Sequence, residues 1–303
     1  MRCAIPLFLF LSFLLFSCQK EIEVQLPDYE KKLVVEAYIE NGEHPVVMLS
    51  QSIDYMSNVN IDTLRKNILV NDAVVTVSST NGDRERLHFA PTDRAPLGCA
   101  YIGDTIVGQP GVSYKLEILW HEKSYTATTS ILQPFELDSV WFAYHTQGQD
   151  SAATIRMLLS DDPAATNYYQ FFVKVHGNDL TDRCWVTSIP VVLDDATFNG
   201  QTFNFEIMRG NPSPLFAPNQ EMVQNNAMDY YRVTFRPGDT VEFRYAAIDY
   251  PSYKFWSSAN ADIVFGQNPF LSPTPICSNI VGPNVIGVWC GYASNKRTLI
   301  FGH

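Results

Sequence analysis

From Leu33 onward the apolar positions of this chain recur with the period of a β-strand. Leu33-Val34-Val35-Glu36-Ala37-Tyr38-Ile39 mixes β-branched and apolar residues, and Asn41-Gly42 follows as a turn. Residues 46–49, 73–77 and 86–89 and a short strand at Tyr101 continue the series. The stretch 86–89 is expected to pair back on 73–77 across the Asn81-Gly82-Asp83 turn. Residues 114–120 alternate strictly, as a half-buried strand does, and 125–130 close the set. Short strands separated by turns over about 100 residues predict an immunoglobulin-like β-sandwich.

Pro134 marks the expected domain boundary. Beyond it, strands are predicted over residues 138–144, 155–159, 168–175, 187–193, 202–208, 230–235, 240–248, 288–293 and 298–301. Ser160-Asp161-Asp162-Pro163 has the composition of a helix start, with a capping aspartate ahead of a proline in the first turn. Residues 210–228 and 266–287 are expected to be long loops. Tyr253, Trp256 and Ile263-Val264 fall near helical spacing, which predicts a helix over 252–265. The expected fold class is therefore mainly β. An N-terminal immunoglobulin-like β-sandwich over 32–134 is followed by a second β-rich domain over 135–303, with one or two short helices.

The start of the chain differs in kind. Met1 and Arg2 give a short positive start, and residues 4–16 are almost wholly apolar. A run of about 13 residues is too short to span a bilayer, which takes roughly 20, so it is expected to be an export signal. It ends in Leu15-Phe16-Ser17-Cys18, which looks like a bacterial lipobox. The expectation is a signal peptide over 1–17, cleavage before Cys18, a diacylglycerol on the Cys18 thiol and a further acyl chain on the freed amine. Each buried methylene contributes about 0.8 kcal/mol, so two or three chains make a stable anchor. Lys20-Glu21-Ile22-Glu23, in the tether 18–31, is similar to the surface-export signal of Bacteroidota lipoproteins. That similarity implies an outer-membrane lipoprotein facing the cell exterior.

Charge and cysteine usage narrow the partners. The formal charge is −11, and loss of Arg2 with the signal would make it −12. The sequence has no basic run, which argues against nucleic acid as a partner. Besides Cys18, four cysteines follow the signal: Cys99, Cys184, Cys277 and Cys290. An exported protein permits disulfides. Cys277 and Cys290 flank a short Gly- and Pro-bearing loop and are the expected pair, contributing about 3 kcal/mol in the chain-entropy treatment. Whether Cys99 meets Cys184 is left open.

The sequence offers little chemistry. It has no GxSxG, no phosphate-binding glycine loop, no dinucleotide fingerprint and no Cys/His nucleophile pattern. The histidines at 44, 88, 121, 145, 176 and 303 are scattered without ligand spacing. No catalytic residue, metal or cofactor is therefore expected, and a hydrolase is the least favoured class. Asp161-Asp162 and Asp194-Asp195 are expected to cap and solvate turns, because neighbouring side chains point apart and do not make an acid–base pair. Aromatic residues are more telling. Tyr168-Tyr169 and Tyr230-Tyr231 put one ring on each side of a strand, so one ring of each pair needs cover or offers a platform for a peptide or glycan. Aspartate followed by a hydroxyl residue and an apolar one recurs, which resembles the O-glycosylation sequon of Bacteroidota envelope proteins. Thr63, Thr105, Ser139, Ser151 and Thr240 are the candidate acceptors. The local alternative is a turn-to-strand transition.

In sequence order, the lipobox, residues 33–39 and Val46-Val47-Met48-Leu49-Ser50 are followed by Gly111-Val112-Ser113-Tyr114-Lys115-Leu116-Glu117-Ile118, Asp138-Ser139-Val140 and Asn167-Tyr168-Tyr169. Gly238-Asp239-Thr240-Val241 and Asn279-Ile280 come next, leading to Gly287-Val288-Trp289-Cys290-Gly291-Tyr292. This order resembles the domain-of-unknown-function family 4249 over nearly the whole chain after Cys18, apart from Pro283-Asn284, which interrupts a usually glycine-richer turn. The resemblance implies surface lipoproteins often encoded beside TonB-dependent outer-membrane transporters, and it carries over no catalytic residues. The expected function is an accessory subunit, a capture or lid component, of such a transporter. An independent glycan- or peptide-binding adhesin is the alternative.

Overall fold

The computed structural model describes residues 30–53, 68–95, 97–147, 150–176, 185–210, 234–265 and 275–302. Cys18, Thr63, Cys184 and Tyr230-Tyr231 lie outside them. The first strand, β1 (Leu33–Glu40), sets the pattern: Leu33, Val35, Ala37 and Ile39 are buried on one face, while Glu36, Tyr38 and Glu40 point the other way. The strands that follow in the first half are β2 (Val46–Gln51), β3 (Val74–Ser79), β4 (Arg84–Arg86), β5 (His88–Pro91), β6 (Cys99–Ile102), β7 (Ser113–Trp120) and β8 (Lys123–Ser130). The second half supplies β9 (Ser139–Gln147), β10 (Asp150–Ser160), β11 (Tyr168–His176), β12 (Val186–Asp194), β13 (Thr202–Ile207), β14 (Thr240–Ala247), helix α1 (Tyr250–Phe265) and β15 (Val285–Ile300).

These strands form three sheets. The large one has eight strands in the order β12-β11-β14-β15-β1-β2-β6-β5. Two smaller sheets, β4-β3-β7-β8 and β13-β10-β9, back it on one face. Leu33, Val35, Val47 and Trp289 of the large sheet share a core with Val75, Leu116 and Tyr125 of the four-stranded sheet. Tyr169, Phe171, Val241 and Phe243 share a second core with Ile155, Met157 and Ile207 of the three-stranded sheet. Each apolar face is thus buried by another sheet, which is what makes stacked β-layers stable. The opposite face of the large sheet carries α1, whose Tyr253, Phe255 and Trp256 pack with Phe172, Ile248 and Cys290.

The fold is mainly β, as the alternation predicts, but the chain does not divide at Pro134. Residues Lys31–His303 form one compact unit. Pro134 falls between the two cores, yet the large sheet draws strands from both sides of it. The reason is β15, a strand of 16 residues. Its first half pairs in parallel with β1 (Val35↔Gly287) and its second half antiparallel with β14 (Ala246↔Ser294). Periodicity finds strands but not their distant partners, so the two closing strands expected at 288–293 and 298–301 are one. Residues 86–89 also differ from expectation. Arg86 pairs with Thr76 as anticipated, but after Leu87 the chain switches sheets and Phe89 pairs with Tyr101. The helix start expected at 160–163 is a turn, in which the Asp162 side chain accepts the Ala164 amide at 2.9 Å.

The first half of β15 has β1 on one side and a set of polar side chains on the other. Gly287 N donates to Ser278 Oγ at 3.1 Å, and that hydroxyl donates back to Gly287 O at 2.9 Å. Asn279 Oδ1 accepts Trp289 N at 2.9 Å, and its Nδ2 donates to Trp289 O at 2.8 Å. Gly291 N donates to Thr129 Oγ1 at 2.7 Å. These side chains stand where a neighbouring strand would, and they satisfy backbone groups that are costly to bury unpaired. Gly287 allows β1 to approach: a Cβ there would lie 2.0 Å from Val35 O.

The disulfide expected between Cys277 and Cys290 is not present, and the described cysteines are free thiols. Cys290 is fully buried in β15 against the helix-side cluster, whereas Cys277 is exposed and its amide is held by Ser258 Oγ at 2.9 Å. Burial pushes the Cys290 thiol far up, which makes it an inert apolar filler.

Candidate functional site

The face of the large sheet that carries α1 is unusually polar at its other end. Period-two alternation places Tyr38 and Glu40 of β1, Arg244 of β14, Lys174 of β11 and Ser294 and Lys296 of β15 on that face. Tyr38, Glu40, Lys174, Arg244 and Lys296, together with Trp185, just before β12, and Arg94, after β5, line a cleft of about 160 Å³.

Its floor is an ion cluster. Arg244 and Glu40 are both buried, and Arg244 Nη1 donates to Glu40 Oε2 at 2.7 Å. Lys296 Nζ lies 3.2 Å from Glu40 Oε1, the oxygen that also accepts the Ser294 hydroxyl. Burial alone would raise the Glu40 pKa. The Arg244 charge, the Ser294 hydroxyl and Lys296 outweigh it and hold the carboxyl below its ordinary value. The Arg244 guanidinium stands 4.0 Å from the Phe172 ring centre, 4.8 Å from Trp185 and 5.5 Å from Tyr292. Such an aromatic cage suits a desolvated guanidinium. Its Nε is buried and has no partner among the described residues.

The rim is built from loops. Arg94 Nη2 donates to His44 O at 2.9 Å and Nη1 stands 3.7 Å from Glu43, while the Tyr38 hydroxyl donates to Arg94 O at 3.1 Å. The guanidinium of Arg94 lies 5.7 Å from the Tyr38 ring centre. Lys174 and Asp93 complete the lining, and neither forms an ion pair among the described residues.

None of the sequence motifs singles out this site. A signal for it exists. Glu36, Tyr38 and Glu40 alternate with apolar residues in β1, as Glu242 and Arg244 do in β14. Charges at regular positions inside two strongly apolar strands mark a second, polar sheet face.

The candidate acceptors among the described residues do not converge. Thr105 is exposed in a loop whose amides, from Asp104 to Ile106, donate to the Glu85 carboxylate at 2.5–3.0 Å. Ser139 and Thr240 are the first residues of β9 and β14, and Ser151 is the second of β10. The two aspartate pairs meet at one loop: Asn167 N donates to Asp195 Oδ2 at 2.7 Å, and Asn167 Nδ2 to Asp161 Oδ1 at 3.3 Å. Asp161 also accepts the Tyr169 hydroxyl at 2.5 Å and Gly200 N at 3.0 Å, so its oxygens fix a turn. Of the Tyr168-Tyr169 pair, Tyr169 is in the core and Tyr168 stacks on Tyr253 of α1 at 4.7 Å. The outward ring is half-buried against the helix.

A family model described as a domain of unknown function, DUF4249, matches residues 19–298. The chain belongs to this family. No curated protein matches it. Across the DUF4249 match, the segment from Asn279 to Tyr292 is explained by architecture: Asn279 clamps the Trp289 backbone, and Gly287 and Gly291 leave room for the Val35 and Ser130 carbonyls, which a Cβ would meet at 2.0 and 2.5 Å. The cleft residues Glu40, Lys174, Trp185 and Arg244 all lie within the matched span.

Proposed function

We propose that this DUF4249 protein is a lipid-anchored, non-enzymatic accessory subunit of a TonB-dependent outer-membrane transporter. It is held at the cell surface through Cys18 and captures a ligand for hand-over. The lipobox supports the anchor and Lys20-Glu21-Ile22-Glu23 supports the surface location. The observation that carries the capture role is the charged and aromatic cleft, a concave site lined mostly by charged side chains that converge from strands of the large sheet and the loops beside them. In this reading the cleft face is turned toward the barrel and the two smaller sheets face away from it. O-linked glycans on Thr63, Thr105, Ser139, Ser151 or Thr240 would belong to the same surface setting.

The test is purification of the full lipidated chain from detergent-solubilised native membranes. The expected result is recovery of a TonB-dependent barrel in comparable amount, lost when Cys18→Ala releases the chain from the membrane. Recovery of the anchored lipoprotein with no barrel contradicts the accessory role and leaves the free-standing adhesin as the better account.

A further inference from the structure

We propose that the cleft binds an organic carboxylate, taken as a small molecule or as the end of a chain, with an apolar or ring portion laid against Trp185 and Tyr38. The inference rests on the capture reading and names the chemistry it needs.

Arg244 and Lys296 share one carboxylate, Glu40, so the floor carries one positive charge more than it neutralises. Arg244 is only 6% exposed, and its Nε faces no acceptor among the described residues. A buried guanidinium nitrogen without a partner is costly, and the surplus charge makes an anion the group that relieves it. Lys174 adds a second cation without an ion-pair partner on the lining, while Arg94 is already committed to Glu43 and His44 O. The acceptor geometry favours a carboxylate, whose two oxygens match a guanidinium edge and an ammonium.

Size and walls set the rest. Sites for whole drug-sized ligands run to about 300–1,000 Å³. At about 160 Å³ this cleft takes one small group. Trp185 and Tyr38 line it, so part of the ligand beside the carboxylate meets flat aromatic surface. Asp93, exposed at the rim, disfavours a second negative charge on the ligand and so selects monoanions. A peptide's C-terminus and an acidic sugar share this chemistry.

The experiment is calorimetric titration of the purified lipidated chain in detergent with four probes: glycyl-tyrosine, its C-terminal amide, glucuronic acid and glucose. At least one of the two acids is expected to bind, about tenfold or more tighter than its neutral counterpart, the worth of one charge-assisted hydrogen bond in a desolvated site. Binding of glycyl-tyrosine alone assigns the carboxylate to a peptide end, and binding of glucuronic acid alone assigns it to an acidic sugar. Lys174→Met, a change at the rim, is expected to weaken the acid about fivefold or more while leaving the melting temperature unchanged. Equal binding of acid and neutral forms, binding unaffected by Lys174→Met, or no binding of either acid overturns the proposal. Recovery of the barrel by co-purification does not depend on any of these outcomes, so failure here is separable from failure of the accessory role.

Discussion

Replacing Trp289 by alanine is expected to destabilise the protein by about 3–5 kcal/mol, the cost of emptying a fully packed aromatic site. Trp289 is wholly buried in the core shared by the large sheet and the four-stranded sheet. Its indole Nε1 donates to Tyr114 O at 3.0 Å, which ties β15 to β7 across that core. The substitution therefore removes packing and leaves a buried carbonyl short of a donor. Leucine at the same position is expected to recover part of the loss, because it refills volume but not the hydrogen bond. Chemical denaturation followed by circular dichroism reads both. A loss below about 1 kcal/mol for the alanine variant would show that β15 is not the element that joins the layers.

The second large effect concerns the cleft floor. Glu40→Gln keeps the shape of the side chain and leaves Arg244 buried beside Lys296 with no carboxylate between them. Removing one partner of a buried ion pair costs about 3–5 kcal/mol, and the lower end applies here because the cleft is open to water. The pH dependence follows from the same cluster. The folded-state pKa of Glu40 is below its ordinary value, so its contribution is complete above the ordinary carboxylate range, about 4.3, and is lost as pH falls through the lower folded value. Acid unfolding of the wild type should therefore contain a component that Glu40→Gln lacks. The expected result is a variant that melts earlier at pH 7 and approaches the wild type as pH falls below about 4. Parallel curves at every pH would mean that Glu40 is not ionised in the folded protein.

Much of the fold was legible in the sequence because strands with one face on a core alternate, as β1 and β7 do, and strands covered on both faces read as continuous apolar runs, as β11 does. The positions of β1 and β7 follow from alternation, that of β11 from its run of aromatic and β-branched residues, and that of α1 from helical spacing. What escaped was pairing. Gly287 and Val35 are far apart in the chain, and only the glycine hints that backbone approaches there. Leu87 escaped for a similar reason, since a switch between sheets leaves the alternation intact. The cysteines misled because loop length says nothing about burial, and Cys290 proved to be a core residue. The cleft was hidden in a different way. Its members are scattered over β1, β11, β14, β15 and three loops, and no local motif joins Glu40 to Arg244 and Lys296. The chemistry lies in the register between strands, which a linear reading does not contain.

The face proposed to meet the transporter can be located directly by photo-crosslinking in living cells. A photoreactive residue is placed at Asp93 on the cleft rim in one strain and at Lys115, exposed on the outer side of the four-stranded sheet, in another. The account predicts a crosslinked adduct between the Asp93 variant and a TonB-dependent barrel, and none from the Lys115 variant. An adduct from Lys115 but not Asp93, or adducts with no barrel from either, would contradict it.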